Sequence, residues 1–277
     1  MMNKVIMRNT FGVALLCLMV GTVGIQSSYA YIPPSSFLIK NLAAKRKGLK
    51  NLRISSVVAG FDSGKPTGVH FKAVTIYEAA GHVWKSAAYD DTGAELFSIQ
   101  KKDGAIPLSE FVLFVSNPNE LSEALEKADV PVQETEVPKP KASDAPAMPA
   151  DNTMLKRWNG TVAWVIGRGE KTDTPQFWIE KDSFLPVRLI AKDQDVQYAK
   201  YRYSQDLPYP RLISLSNKTG ELQFEESLSD FTVNSAATEK LPIAKDATAD
   251  GVFTPLGDSA SSAIKDLLRK YYYGGIR

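Results

Sequence analysis

About eleven short segments between Leu52 and Val233 alternate apolar with polar residues at period two, and turn-forming residues close each of them. They cover residues 52–60, 69–77, 83–89 and 95–101, then 161–166, 176–180, 184–190, 196–203, 211–216, 221–226 and 228–233. Such close punctuation restricts the chain to antiparallel pairing, because parallel neighbours need a crossover of a dozen or more residues. Asp62-Ser63-Gly64, Asp91-Thr92-Gly93 and Asn217-Lys218-Thr219-Gly220 supply the turns. The fold class that follows is mainly β with α: one large, curved antiparallel sheet with a few helices over it.

Three stretches read as helices. The first opens at Ser35 or Ser36 and runs to about Lys47, with Leu38, Leu42 and Leu49 on its apolar side and Gly48 placed to end it. Lys45, Arg46 and Lys47 crowd its last turn, where they complement the helix dipole and face solvent or an anionic group. The second begins at the cap Asn117 with Pro118 and Glu120 behind it, and continues through Lys127. The third starts at Asp258 or Ser259 and carries Ile264, Leu267, Leu268 and Tyr271 at helical spacing to about Tyr272, with Gly274 to close it.

One hairpin decides which side chains share a face. In "FWIEKDSFLPVRL" a three-residue loop at Lys181-Asp182-Ser183 sets Ile179 opposite Leu185 and Phe177 opposite Val187, with Trp178 and Pro186 on the other side. Proline has no ladder donor, so Pro186 marks an edge strand, a bulge or a sheet that does not close. Val162, Trp164 and Ile166 alternate in the same way on the preceding strand, and Phe71 on an earlier one. These rings and branched chains either fill a core beneath the helices or, since so few short helices hardly cover such a sheet, line a concave surface for an apolar ligand.

The first thirty residues stand apart. Lys4 and Arg8, the apolar run 11–25 and Ser28-Tyr29-Ala30 have the order of a secretory leader cut after Ala30, which makes 31–277 a single exported domain. Cys17, the only cysteine, lies inside that leader behind Leu16, which does not suit a lipidation site. Losing Lys4 and Arg8 lowers the 33 basic residues to 31, equal to the 31 acids, so nothing in the net charge draws nucleic acid or a membrane. Residues 131–152 carry five prolines and almost no large apolar side chain, the composition of a flexible insertion.

Chemistry-bearing patterns are missing. His70 and His82 lack metal-ligand spacing, no serine sits in a nucleophile elbow, and Gly167-Arg168-Gly169 joins two strands without opening a helix onto phosphate. Glu180 with Asp182, and Glu225 with Glu226, lie in or beside turns where solvated charge is the ordinary outcome. No catalytic residue, metal ligand or cofactor is assigned, and the chain is expected not to be an enzyme.

The run "VAWVIGRGEKTDTPQFWIEKDSFLPVRLIAKD", the later "QYAKYRYSQ" and "PRLISLSNKTGELQFEESLSDFTVN", and a helix leading into "LRISSVVAGF" resemble the outer-membrane lipoprotein-carrier superfamily, the LolA-like and LolB-like proteins. The resemblance implies an open half-barrel with helices as a lid, located in the periplasm, and acyl chains of a lipoprotein or lipid bound on the concave face. Phe71, Val162, Trp164, Ile166, Phe177, Ile179, Leu185, Val187 and Leu189 would line that cavity. It equally suggests a sensor or scaffold of the same fold that binds an envelope protein, as the periplasmic anti-sigma-factor regulators similar to these carriers do. A cavity open between sheet and lid favours the carrier; a filled one favours the scaffold.

Overall fold

The strands pair in the order β4-β3-β2-β1-β11-β10-β9-β8-β7-β6-β5, antiparallel throughout, in one eleven-stranded sheet left open between β4 and β5. This is a computed structural model, and it describes residues 32–102, 106–132, 152–167, 174–235 and 261–273. Along the chain come α1 (Ser35–Ala44), β1 (Asn51–Asp62), β2 (Lys65–Glu78), β3 (Val83–Tyr89), β4 (Glu95–Lys102), α2 (Leu108–Phe114) and α3 (Pro118–Lys127). Then follow β5 (Thr153–Trp158), β6 (Thr161–Gly167), β7 (Gln176–Glu180), β8 (Pro186–Ala191), β9 (Gln194–Ser204), β10 (Leu207–Asn217), β11 (Leu222–Val233) and α4 (Ser262–Tyr273). Two hairpin meanders thus meet where β1 pairs β11 in the middle of the sheet. Residues Pro33–Arg277 form one compact unit. The secretory leader, most of the proline-rich insertion, and the expected start and closing glycine of the last helix lie outside the described residues.

Three differences from the sequence reading have physical causes. The segments 221–226 and 228–233 are one strand, β11, and a bulge opposite Ser55 and Ser56 shifts its alternation from Phe224 and Glu226 to Phe231 and Val233. That change of phase makes one strand look like two. Strand β5 was not anticipated, because an edge strand whose side chains are mostly exposed or half-exposed shows little apolar patterning. The seven-residue α2 was also missed: "LSEFVLF" is nearly all apolar, and a helix buried on most sides has no polar stripe to reveal its period.

The helices pack on one sheet face. Phe114 of α2 stacks between Tyr77 of β2 and Tyr209 of β10, with centroids 4.8 and 6.4 Å away. Phe37 of α1 meets Phe184, in the turn before β8, edge-on at 6.0 Å. Tyr272 of α4 lies 4.5 Å from Phe97 and 6.4 Å from Phe71. Helix α1 ends as its sequence indicates, in turns that reach Gly48 at φ +86°, a conformation that favours glycine. Its last turn differs from expectation: Lys45 and Lys47 are exposed, but Arg46 is wholly buried. At the start of α3 the Asn117 side chain accepts from the Asn119 backbone N–H and donates to Glu120 Oε1, as the cap motif predicted.

Among the described residues no helix is long and apolar enough to cross a membrane.

Candidate functional site: a concave face in two halves

The helix-facing side of the sheet divides into an apolar half and a polar-studded half. In the apolar half, Trp164 pairs Ile179, Ile166 pairs Phe177, Phe177 pairs Leu189, and Leu189 pairs Val196. Each of these side chains is buried, and Ile166, Phe177, Ile179 and Leu189 are 0% exposed. Val162 continues the row, half-buried, at the far end of β6. No charged or hydroxyl side chain interrupts this row. The reason is local: β6 and β7 are nearly continuous apolar runs with both faces covered.

Two expected members lie elsewhere. The hairpin register is not the simple one, because Phe177 pairs Leu189, Ile179 pairs Pro186, and a bulge between Trp178 and Ile179 takes up the extra residue of β8. Val187 therefore leaves the concave face and packs with Met154 and Trp158 against Ala163, Val165 and Trp178 on the outer side. The loop is also longer than three residues: the Phe184 N–H donates to the Glu180 carbonyl, Phe184 has φ +57°, and Leu185 lies in the turn before β8. Pro186 opens an interior strand at that bulge, where its missing N–H costs little. Phe71 is on the concave face but across the sheet, edge-on to Tyr271 at 5.5 Å.

The lid over the apolar half is α1, α2 and α3. Tyr198 of β9 donates its hydroxyl to the Ser109 carbonyl at 2.9 Å, and Arg46 donates Nε to the Leu113 carbonyl at 2.6 Å. Among the described residues, Nη1 and Nη2 of Arg46 have no hydrogen-bond partner although they are buried. Burial lowers the pKa of this guanidinium, and the neighbouring Tyr201, Tyr203 and Tyr209 oppose that shift. A closed lid therefore holds an incompletely satisfied cation, a cost of about 1–3 kcal/mol or more.

The other half of the face, over β1–β4 and β11, carries Ser56, Thr75, Ser86, Lys101 and Glu226 among its rings, all buried. Thr75 Oγ1 and Ser86 Oγ are 2.9 Å apart, and Ser86 Oγ lies 3.1 Å from the Tyr272 hydroxyl. Lys101 donates Nζ to the Tyr272 carbonyl at 3.2 Å. Helix α4 comes this close because Gly60 has no side chain: a Cβ there would stand 3.2 Å from Leu267 Cδ1.

Where the halves meet, a cavity of about 20 Å³ is bounded by Trp84, Glu110, Glu226 and Tyr271 together with Ile213 and Phe224. That volume accommodates about one water molecule. Glu226, expected to be solvated, accepts from Ser56 Oγ at 2.6 Å, while among the described residues its Oε2 and the Trp84 Nε1 lack partners. Burial raises the Glu226 pKa, against the pull of Ser56 and Tyr271; burial and then Glu226 hold Glu110 well above the usual carboxylate range, with Lys101 opposing. The two-residue spacing of Glu226 from Phe224 is the signal that could have put it on the inner face, but the bulge in β11 made it look like a strand end, and Glu110 lies on the unanticipated helix.

His70 sits 3.1 Å from Asp91, and His82 bridges Tyr77 and Glu120 at 2.9 and 3.3 Å. Burial, and then Glu120, raise the Tyr77 pKa to about 12.

No family model and no curated protein matches the sequence. Solved structures do. The chain is similar to an outer-membrane lipoprotein-sorting protein domain from Vibrio parahaemolyticus, at 11% identity over 74% of this chain and 94% of that chain, with a TM-score of 0.42. It is similar to a LolA superfamily protein from Nitrosomonas europaea, at 9% identity over 73% and 94% of the two chains, with a TM-score of 0.43. A third similarity, to the MucA/MucB complex of Pseudomonas aeruginosa, covers 74% of this chain and 59% of that chain at 15% identity and a TM-score of 0.28. At such identities and scores, the residues of the site have to carry the functional argument.

Proposed function

We propose that this chain is an exported, non-enzymatic periplasmic protein, a single domain after its leader, that shields an acyl chain of a lipid or lipoprotein in the apolar half of its concave face. The observation that carries the reading is the unbroken apolar row Trp164, Ile166, Phe177, Ile179 and Leu189 beneath a lid that leaves Arg46 partly unsatisfied. An acyl chain entering there would replace the apolar side chains of the lid with methylenes. The sheet stays covered in both states, so the exchange is nearly balanced. Roughly six methylenes at about 0.8 kcal/mol each contribute about 5 kcal/mol, and an opened lid returns the Arg46 nitrogens to water.

A second reading is favoured by one observation. The junction of the two halves leaves space for about one water. So tight a junction suits a sensor or scaffold that recognises an envelope protein through its surface. Organic extraction of the full-length protein purified from the envelope, followed by mass spectrometry, separates the two. A co-purifying acyl lipid at near-stoichiometric amount is the expected result. An extract free of lipid, from protein that also takes up none when offered it, leaves the scaffold reading.

A further inference from the structure

Helix α4 has a seat unlike that of the lid. Leu267, Leu268 and Tyr272 are buried beneath it and its tyrosine rings pack on Phe71, Trp84, Phe97 and Phe224, and among these contacts lie polar ones: the Ser86–Tyr272 hydroxyl pair, the Lys101–Tyr272 carbonyl bond and the Tyr271 ring beside Glu226. Three elements, α2 with Glu110, β11 with Glu226 and α4 with Tyr271, converge on one cavity too small to hydrate two carboxylates. Among the described residues, the titratable groups that face this pair are Lys101 from β4, Tyr198 from β9, Tyr209 from β10, and Tyr271 and Tyr272 from α4. Burial and the two carboxylates keep the tyrosines neutral, so Lys101 is the sole cation among them, set against two acids.

We propose that α4 is a proton-gated stopper: it stays seated over β1–β4 and β11 while the Glu110–Glu226 pair retains a proton, and it lifts when both carboxylates are charged. The sign follows from linkage. With α4 seated, both acids bind protons more tightly than in water; with α4 lifted, they are hydrated and titrate in the ordinary carboxylate range. The seated state therefore has its full advantage below that range and loses it as pH rises toward the elevated values of the pair. Helix α4 is assigned as the element that moves because its Tyr271 borders the cavity beside Glu226, whereas α2 carries Glu110 itself and is tied to Arg46 and to β9 through its carbonyls. Lifting α4 would uncover Phe71, Trp84 and Phe97 without disturbing the apolar half.

Amide hydrogen exchange on the full-length protein, with no ligand present, tests this independently of acyl binding. After correction for intrinsic rates, protection of the α4 amides should fall at least about tenfold relative to β1 as the pH is raised from about 5 to about 8. Glu226→Gln and Glu110→Gln should each keep α4 protected across that range. Wild-type α4 protection that tracks β1 at every pH overturns the proposal, with no variant needed. So does a wild-type loss that persists unchanged in whichever variant retains protected β1 amides.

Discussion

The two halves of the concave face hold their helices by different physics. Over β6–β9 the surface is apolar and α1–α3 cover it, α2 and α3 reaching on to Tyr77 near the end of β2 and His82 in the turn after it, with two side-chain bonds to α2 carbonyls for orientation. Over β1–β4 and β11 the surface carries hydroxyls, a lysine and a carboxylate, and α4 answers them with tyrosines. Apolar burial is non-directional, so one occupant can replace another; matched hydroxyls and charges are directional, so they select one occupant. The same sheet can thus have an exchangeable side and a specific side.

The largest expected effect lies in the apolar half. Phe177→Ala removes a fully buried ring and should lower unfolding free energy by about 3–5 kcal/mol in a urea titration. A loss below about 1 kcal/mol would mean that the lid closes over the gap, and that the half is more fluid than its packing implies. In the polar half, Tyr272→Phe keeps the ring against Phe97 and leaves Ser86 paired with Thr75, so the cost should be near 1 kcal/mol by the same titration. A larger loss would make the Ser86–Tyr272 bond the principal anchor of α4.

The smallest effect belongs to the outer face. Trp158 lies under the Arg188 guanidinium at 3.8 Å, and Arg188 also forms two bonds to Asp195, at 2.8 and 2.6 Å. Trp158→Phe retains an aromatic surface for the cation and should cost no more than about 1 kcal/mol in thermal unfolding. A change of several kcal/mol would show that this small cluster is a second core.

The strands, their antiparallel pairing and two of the helix termini were legible because they rest on local chemistry: alternation, turn residues, the Asn117 cap and Gly48. Trp164, Ile166, Phe177, Ile179 and Leu189 were placed on one face for the same reason. What the sequence could not indicate was the effect of bulges. One extra residue in β8 moved Val187 to the outer face, and one in β11 turned two apparent strands into one and hid Glu226. Arg46 looked like a solvated helix end because its neighbours Lys45 and Lys47 are; its bond to the Leu113 carbonyl and the tyrosines of β9 and β10 beside it come from parts of the chain distant in sequence. The division of the face into halves was likewise invisible, since Phe71 and Phe177 have similar local patterns and differ only in which helix covers them.

The central claim is that an acyl chain lodges in the apolar half, and contact quenching of tryptophan tests it most directly. A brominated fatty acid quenches only an indole it touches, and Trp164 lies in the apolar half, Trp84 in the polar half, and Trp158 and Trp178 on the outer side. Titrating the full-length protein with this ligand should give quenching that saturates. That quenching should disappear in Trp164→Phe and persist in Trp84→Phe. Quenching that survives Trp164→Phe but is lost in Trp84→Phe would put the ligand under α4, and no quenching of the folded wild type would contradict the account outright.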